Sequence, residues 1–316
     1  MHTGYPKLPF FFRPYLRWEG PGWGLIYHLL RIHGVDNKNP RWRNAPTMTT
    51  RGKWHGYRMK LDLRDDIERS TFFLGRYYDR EVQQLLNVLL KPGATFVDVG
   101  ANVGLTALHA ARRVGDHGCV VAIEPNPDCC DRVREAIRDN RITHVKLHQV
   151  GLADCHAEPT LHLLGGGTIM STLAIDPTSR ATNVTRRIKV RVIPGDELLA
   201  SQDVDHLVIK IDVEGYEVRA LQGLTRTIEQ FHPVIITEVE PMNLRRAGTD
   251  VAELTRFLTD RNYRPHLISK RRRGFRWRLH LPPLNLPEDL NRIGTGIDVV
   301  WVAENEKRFD LSPYAA

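Results

Sequence analysis

Residues 95–106 read TFVDVGANVGLT, and no other stretch so narrows what this chain can fold into. Phe96, Val97 and Val99 make a short apolar, β-prone run, and from Val103 onward Leu105, Leu108, Ala110 and Ala111 recur at helical spacing. Gly100 to Gly104 must then be the turn between a buried strand and a helix. Glycines at 100 and 104 lack the Cβ that would keep a ligand off the backbone. The helix behind them offers unpaired N–H groups and the positive end of its dipole. A turn built for a ligand is the expectation, with a plain tight turn as the alternative.

The pattern on both sides supports an α/β fold. Strands 94–99, 119–124 and 145–150 alternate with helices 103–113 and 127–140, the spacing of right-handed βαβ crossovers in a parallel sheet. Upstream, Tyr57 to Leu63 alternates as a strand and Arg80 to Leu90 reads as an amphipathic helix. Residues 159–192, with a glycine cluster at Gly165 to Gly167, break the rhythm as paired strands around a loop. It resumes with strand 205–213, helix 215–230 and strand 234–239. Helix 250–260 and strand candidates 264–269, 275–280 and 297–302 follow. After a turn at Lys270 to Gly274, Phe275, Trp277 and Leu279 would face inward and Arg276, Arg278 and His280 outward. The expected architecture is a mostly parallel, doubly wound sheet with an N-terminal basic and aromatic extension and a C-terminal β-hairpin.

Charge is distributed unevenly. Residues 1–60 hold eleven Lys/Arg against two Asp/Glu, a net of +9 within a chain total of +8, so the remainder sums to −1. In this arm Phe10, Phe11, Phe12, Tyr15, Trp18, Trp23 and Tyr27 interleave with Arg13, Arg17 and Arg31. That would suit a membrane surface, a phosphorylated partner or a large acidic substrate, against the plainer reading of an extension packed on the core with solvated charges. No run approaches the roughly eighteen apolar residues that span a bilayer, and the N-terminus lacks a secretory pattern, so a cytoplasmic location, with membrane association through the arm, is expected. Cys119, Cys129, Cys130 and Cys155 show no metal-ligand spacing and read as reduced thiols.

In open α/β sheets ligands bind beyond the carboxyl ends of the strands. Glu124 closes the second strand 20 residues after Gly104, the separation at which an acid accepts hydrogen bonds from two ribose hydroxyls. A dinucleotide would call for G-x-G-x-x-G and a helix terminus clear for pyrophosphate. Here Asp98 occupies the last turn of the strand, where a carboxylate repels pyrophosphate and suits an ammonium group. That selects S-adenosylmethionine (SAM), with Asp98 meeting the amino group directly or through water and the amides of Gly100 to Asn102 meeting carboxylate or ribose.

VDVGANVG, AIEPNP, LVIKIDVEGYEVRALQG and PVIITEVEP, in that order, resemble the FkbM family of SAM-dependent methyltransferases over about residues 57–240. The resemblance implies a class I Rossmann-like methyltransferase domain over 57–316, preceded by the 1–56 extension, and methyl transfer to a hydroxyl of a sugar, glycolipid or secondary metabolite. Carried over by motif, Asp98, Gly100, Ala101, Asn102 and Gly104 would form the SAM loop, Glu124 and Pro125 the ribose end, and Asp154 the adenine contact.

Methyl transfer needs an aligned acceptor oxygen and somewhere for its proton to go. Lys210, Asp212 and Glu214 alternate at the end of the fourth strand and would face one way, placing a lysine that could take the proton beside two carboxylates. Glu238 and Glu240 end the neighbouring strand. Together these four carboxylates could hold Mg²⁺, but the family resemblance requires no metal and none is assigned. Arg76, Tyr77 and Tyr78 are candidates for the acceptor side. Two other readings compete. The basic arm and the KRRRGFRWR segment would suit RNA methylation, although no RNA module or amine-methylation motif is present. A non-catalytic SAM-fold protein whose arm binds a partner or an anionic membrane is the third.

Overall fold

Seven strands share one sheet: β1 (Thr95–Val99), β2 (Cys119–Ile123), β3 (Val145–His148), β4 (Leu207–Ile211), β5 (Val234–Val239), β6 (Tyr263–Leu267) and β7 (Ile297–Ala303). Their order is β6-β7-β5-β4-β1-β2-β3, and only β7 runs antiparallel to its neighbours. This is the Rossmann-like arrangement expected from the alternation of strands and helices. The computed structural model describes residues 4–32, 41–164, 171–173, 184–199, 206–273, 276–290, 296–304 and 311–315.

β1 and β4 are buried at every position, because a central parallel strand is covered on both faces. On one face Phe96, Val120, Ala122, Val208, Val234, Ile236 and Val300 pack with helix α4 (Arg80–Leu89) and helix α5 (Leu105–Val114). On the other, Val97, Val121, Ile209, Ile235 and Val299 pack with Val218, Leu221, Ile228, Leu254 and Leu258. Trp301 is fully buried in this second layer, where its indole N–H donates to Thr237 Oγ1 at 2.9 Å.

The stretch expected as one helix, 215–230, is two, Glu217–Gln222 and Thr225–Phe231. Gly223 sits where a Cβ would overlap the Ala153 carbonyl. Asp196 then caps the second helix, accepting from the Arg226 and Thr227 amides at 3.0 and 2.8 Å. In the C-terminal hairpin, Ser269–Arg273 is itself a strand paired with Arg276–His280, so Lys270 to Arg273 do not form the expected turn. Trp277 is half exposed instead of facing inward, whereas Leu279 is buried. Gly274 and Phe275 lie outside the described residues.

The N-terminal extension carries helices α1 (Leu8–Trp18) and α2 (Trp23–Leu29) and shares the main core. Leu16, Ile32 and Trp42 are fully or almost fully buried, and Trp42 meets Phe73, on helix α3 (Asp66–Leu74), at 5.7 Å between ring centroids. The aromatics of the arm thus divide into those that fill the core and those that do not. Trp42→Ala is expected to cost about 3–5 kcal/mol in urea denaturation, and Trp18→Ala, 70% exposed, to stay within about 0.5 kcal/mol.

Candidate active site

A cleft opens at the carboxyl ends of β1, β2, β4 and β5, where strand order reverses between β1 and β4. One half of its lining is the glycine turn with Glu124, Pro125, Val150 and Gly151. The other is Tyr77, Tyr78, Lys210, Asp212, Glu214 and Glu238.

In the turn, Gly100, Asn102 and Gly104 take positive φ (85°, 53° and 82°). The Gly100 and Ala101 amides donate to the Ile123 carbonyl at 2.9 and 3.0 Å, and the Gly104 amide to the Ala101 carbonyl at 2.8 Å. The Asn102 amide donates to Glu124 Oε2 at 2.8 Å. The amides expected to meet a ligand are therefore engaged within the protein, and the loop offers the cleft its surface. The glycines are required for packing: a Cβ on Gly100 would overlap the Asp212 carbonyl oxygen, and one on Gly104 would press on Val133 at 3.1 Å. Gly104 does not line the cleft, whereas Gly100, Ala101 and Asn102 do.

Glu124 lines the cleft with its carboxylate fixed by the Asn102 amide and by the Asn126 amide at 2.8 Å. Burial raises its pKa to about 7 even against these two bonds. Each oxygen retains a second acceptor position. Asp98 lies beneath the floor, fully buried and outside the lining, and neither oxygen is in hydrogen-bonding geometry with a donor. Burial lifts its pKa to about 6, with Lys210 pulling it down and Asp212 pushing it further up.

Sheet register sets Lys210 directly beside Asp98, and Lys210 Nζ donates to Asp212 Oδ2 at 2.8 Å. Burial works against the ammonium, but Asp212, Asp98 and Asp298 outweigh it and hold the Lys210 pKa above its ordinary value. A lysine so held cannot accept a proton near neutral pH. The surroundings of Lys210 thus favour a fixed positive charge over the expected proton acceptor.

Glu214, at φ 53°, accepts from Asn243 Nδ2 at 2.9 Å, and burial and the charge of Asp212 raise its pKa to about 7. Burial, then Asp212 and Glu214, raise Glu238 to about 9. Oxygens of Asp212, Glu214 and Glu238 lie within 4.8 Å of one another, a spacing a hard cation accepts, and Lys210 brings a positive charge to the same cluster through Asp212. Two carboxyls missed in the sequence complete the cluster. Asp79 caps α4 through the Val82 amide at 3.2 Å, and Asp298 is the register partner of Glu238. They hydrogen-bond each other, and burial raises both. An aspartate within the apolar run IDVVWVA was the available signal for Asp298.

Tyr78 lines the cleft, its ring 4.7 Å from that of Tyr77. Arg76 does not. Its buried guanidinium grips Glu19 at 2.9 and 3.0 Å and donates to the Tyr77 and Tyr78 carbonyls at 2.9 and 3.0 Å, so it fixes the tyrosine pair. Asp154 is exposed outside the cleft, paired with Arg219 at 3.2 Å; Arg219 in turn lies over the ring of Tyr216, which is a lining residue. The insertion forms a three-stranded sheet from Thr160–Leu164, Ser171–Thr172 and Val184–Lys189. Leu161 and Leu173 wall the cleft, and Thr172 Oγ1 donates to the Glu214 carbonyl at 2.9 Å. Gly165 to Gly167 lie outside the described residues.

The sequence profile of the Methyltransferase FkbM domain matches residues 98–265, more than half of the chain and the whole span from Asp98 to Glu238. The chain belongs to the FkbM methyltransferase family. Membership brings S-adenosylmethionine as cofactor. A curated relative, the hexuronic acid methyltransferase AglP of Haloferax volcanii, is 29% identical over 170 residues, which are 52% of this chain and 60% of AglP. The chain thus spans about three fifths of that relative's length. Among solved structures, a methyltransferase FkbM from Methylobacillus flagellatus is 17% identical, with a TM-score of 0.41 over 75% of this chain and 55% of that one. A SAM-dependent O-methyltransferase from Thermotoga maritima is 12% identical, with a TM-score of 0.36 over 73% of this chain and 67% of that one.

Lys210→Met removes the cation from among Asp98, Asp212, Glu238 and Asp298. The variant is expected to lose about 3–5 kcal/mol near pH 8 and less near pH 5. Its buried carboxyls, with Asp98 already at about 6 and Glu238 at about 9, bind protons that the unfolded chain releases, so in this window stability rises as pH falls. Urea titrations at both pH values check the sign.

Proposed function

We propose that this chain is an O-methyltransferase that moves the methyl group of SAM to a hydroxyl of a sugar ring, free or within a glycoconjugate. The observation that carries the reading is that the glycine turn with Glu124 and the carboxyl cluster around Lys210 line one cavity, on either side of the strand-order reversal. The residues present fit the cofactor. Glu124 offers two partly used oxygens suited to a ribose diol, and Asp98 holds buried acceptor oxygens without a hydrogen-bond partner on the strand that leads into the same loop. When bound, SAM supplies an electrophilic methyl group on a sulfonium centre.

The protein's part is to bind, orient and deprotonate. Glu124 holds the ribose hydroxyls. Lys210, paired with Asp212, keeps a positive charge under the acceptor and orients its hydroxyl. Glu214, with a pKa of about 7, matches the operating pH of a general base and receives the hydroxyl proton, while Glu238 at about 9 stays protonated and donates to a neighbouring sugar oxygen. Leu161, Leu173 and the Tyr77–Tyr78 pair exclude water.

The electrostatics also weigh against one acceptor class. Lys210 is the lone cation among the described residues lining the cleft, and Asp212 already holds it, which disfavours a polyanion such as RNA as acceptor.

Calorimetry should detect SAM or S-adenosylhomocysteine binding to the wild type and at least about a tenfold loss in Glu124→Ala; a wild type that binds neither ends the proposal. Transfer to sugar acceptors should rise with pH through about 7 as Glu214 ionises and then level. Glu214→Gln should lose that limb and roughly a hundredfold or more in rate with cofactor affinity retained. Turnover should survive exhaustive chelation, since Lys210 supplies the countercharge.

A further inference from the structure

Helix α1 buries Pro9 and Leu16 yet also turns a second apolar face outward. Its arginines turn inward: Arg13 donates from Nε to the Phe72 carbonyl at 3.1 Å and from its guanidinium to Thr50 Oγ1, and Arg17 donates to the Arg51 carbonyl at 3.0 Å. Its outer face carries Leu8, Phe11 and Trp18, 60%, 79% and 70% exposed, with Pro14 exposed and Tyr15 partly so between them. At about 100° per residue these five fall within a single stripe on one side of the helix. α2, next in the chain, exposes two more, Leu25 and Leu29, one turn apart and 66% and 71% exposed. Among the described residues, five of the eight exposed large hydrophobic side chains sit on these two short helices. Such a concentration of apolar surface marks a contact to be made.

We infer that α1 and α2 form a seat for an anionic lipid bilayer, lying in the interface without crossing it. The charge around the patch selects the occupant. Exposed Lys7 precedes α1, and exposed Arg31 follows α2, with Arg41 and Arg43 beside it where the Trp42 indole N–H donates to the Arg31 carbonyl at 3.3 Å. Glu19 is the sole carboxylate in residues 4–32, and it is consumed by Arg76 and Lys53. Apolar and aromatic side chains on one face, ringed by cations, match the headgroup region of an anionic membrane. No helix among the described residues is long and apolar enough to cross a membrane, so seating on the surface is the mode that fits.

The seat also has a fixed relation to the cleft. Glu19, which ends α1, holds Arg76, and Arg76 holds the carbonyls of Tyr77 and Tyr78 on the cleft wall. Seating α1 on a bilayer would then steady the tyrosine pair on the acceptor side of the cleft. This last step rests on the methyl-transfer reading; the seat itself does not.

The test is sedimentation of the full chain with phosphatidylcholine–phosphatidylglycerol vesicles and with pure phosphatidylcholine vesicles, alongside tryptophan fluorescence. The wild type should bind the anionic vesicles with a blue-shifted emission, and added salt should weaken binding. Phe11→Ser/Trp18→Ser and, separately, Leu25→Ser/Leu29→Ser should each weaken it by about tenfold or more with unfolding midpoints unchanged. No sedimentation of the wild type with either vesicle would overturn the inference while leaving the methyl-transfer reading intact. So would equal binding to both vesicles, or a concentration-dependent dimer abolished by Phe11→Ser/Trp18→Ser without vesicle binding. Absent SAM binding alongside normal vesicle binding would count against the catalytic reading alone.

Discussion

Lys210 is the single ammonium in a buried row that contains Asp98 beside it, Asp212 two residues on, and Glu238 and Asp298 across the neighbouring strands. Several carboxylates in a low-dielectric site cannot all stay ionised around one cation. The structure distributes the shortfall: Asp212 takes the hydrogen bond, Asp79 and Asp298 bond to each other, and Asp98, Glu214 and Glu238 are raised toward or beyond neutrality. Burial, together with the charge imbalance, is thus what raises the carboxyls of the cleft. A carboxyl raised toward neutrality that can still ionise is what the proposed transfer needs to take up the acceptor's proton.

The glycine turn shows the same economy of construction. Its amides tie β1 to β2 through Ile123 and Glu124, and its glycines let β4 approach so closely that the Asp212 carbonyl fills the space of a Cβ. The turn thus sets the distance between the cofactor half of the cleft and the charged half. Arg76 does comparable work on the other wall, transmitting the position of the N-terminal extension to the tyrosine pair through Glu19.

Much of this was legible in the residues. Period-two and period-3.6 patterns gave the strands and helices of the sheet to within a few residues, because parallel strands covered on both faces must be apolar throughout. The positions of Asp98, Glu124, Lys210, Asp212 and Glu214 at strand ends could be read from the same pattern. The break at Gly223 was not legible, since it answers to a contact with Ala153 far away in sequence. Nor was the wall contributed by Leu161, Leu173 and Thr172, which meets Glu214 across 42 residues of chain. Trp277 and the Lys270 to Arg273 strand were misplaced because alternation alone does not say which face of a hairpin finds a partner.

The sequence by itself determined the fold class, the family and the strand ends that line the cleft, because those depend on local periodicity and on motifs whose residues lie close together in the chain. Tertiary structure decided the roles. Whether a lysine is a base or a fixed charge, whether a glycine serves a ligand or a neighbouring backbone, and whether an arginine faces acceptor or protein all depend on what is packed against it. Lys210, Gly100 and Arg76 each have that answer in a residue distant in sequence: Asp98, Asp212 and Glu19.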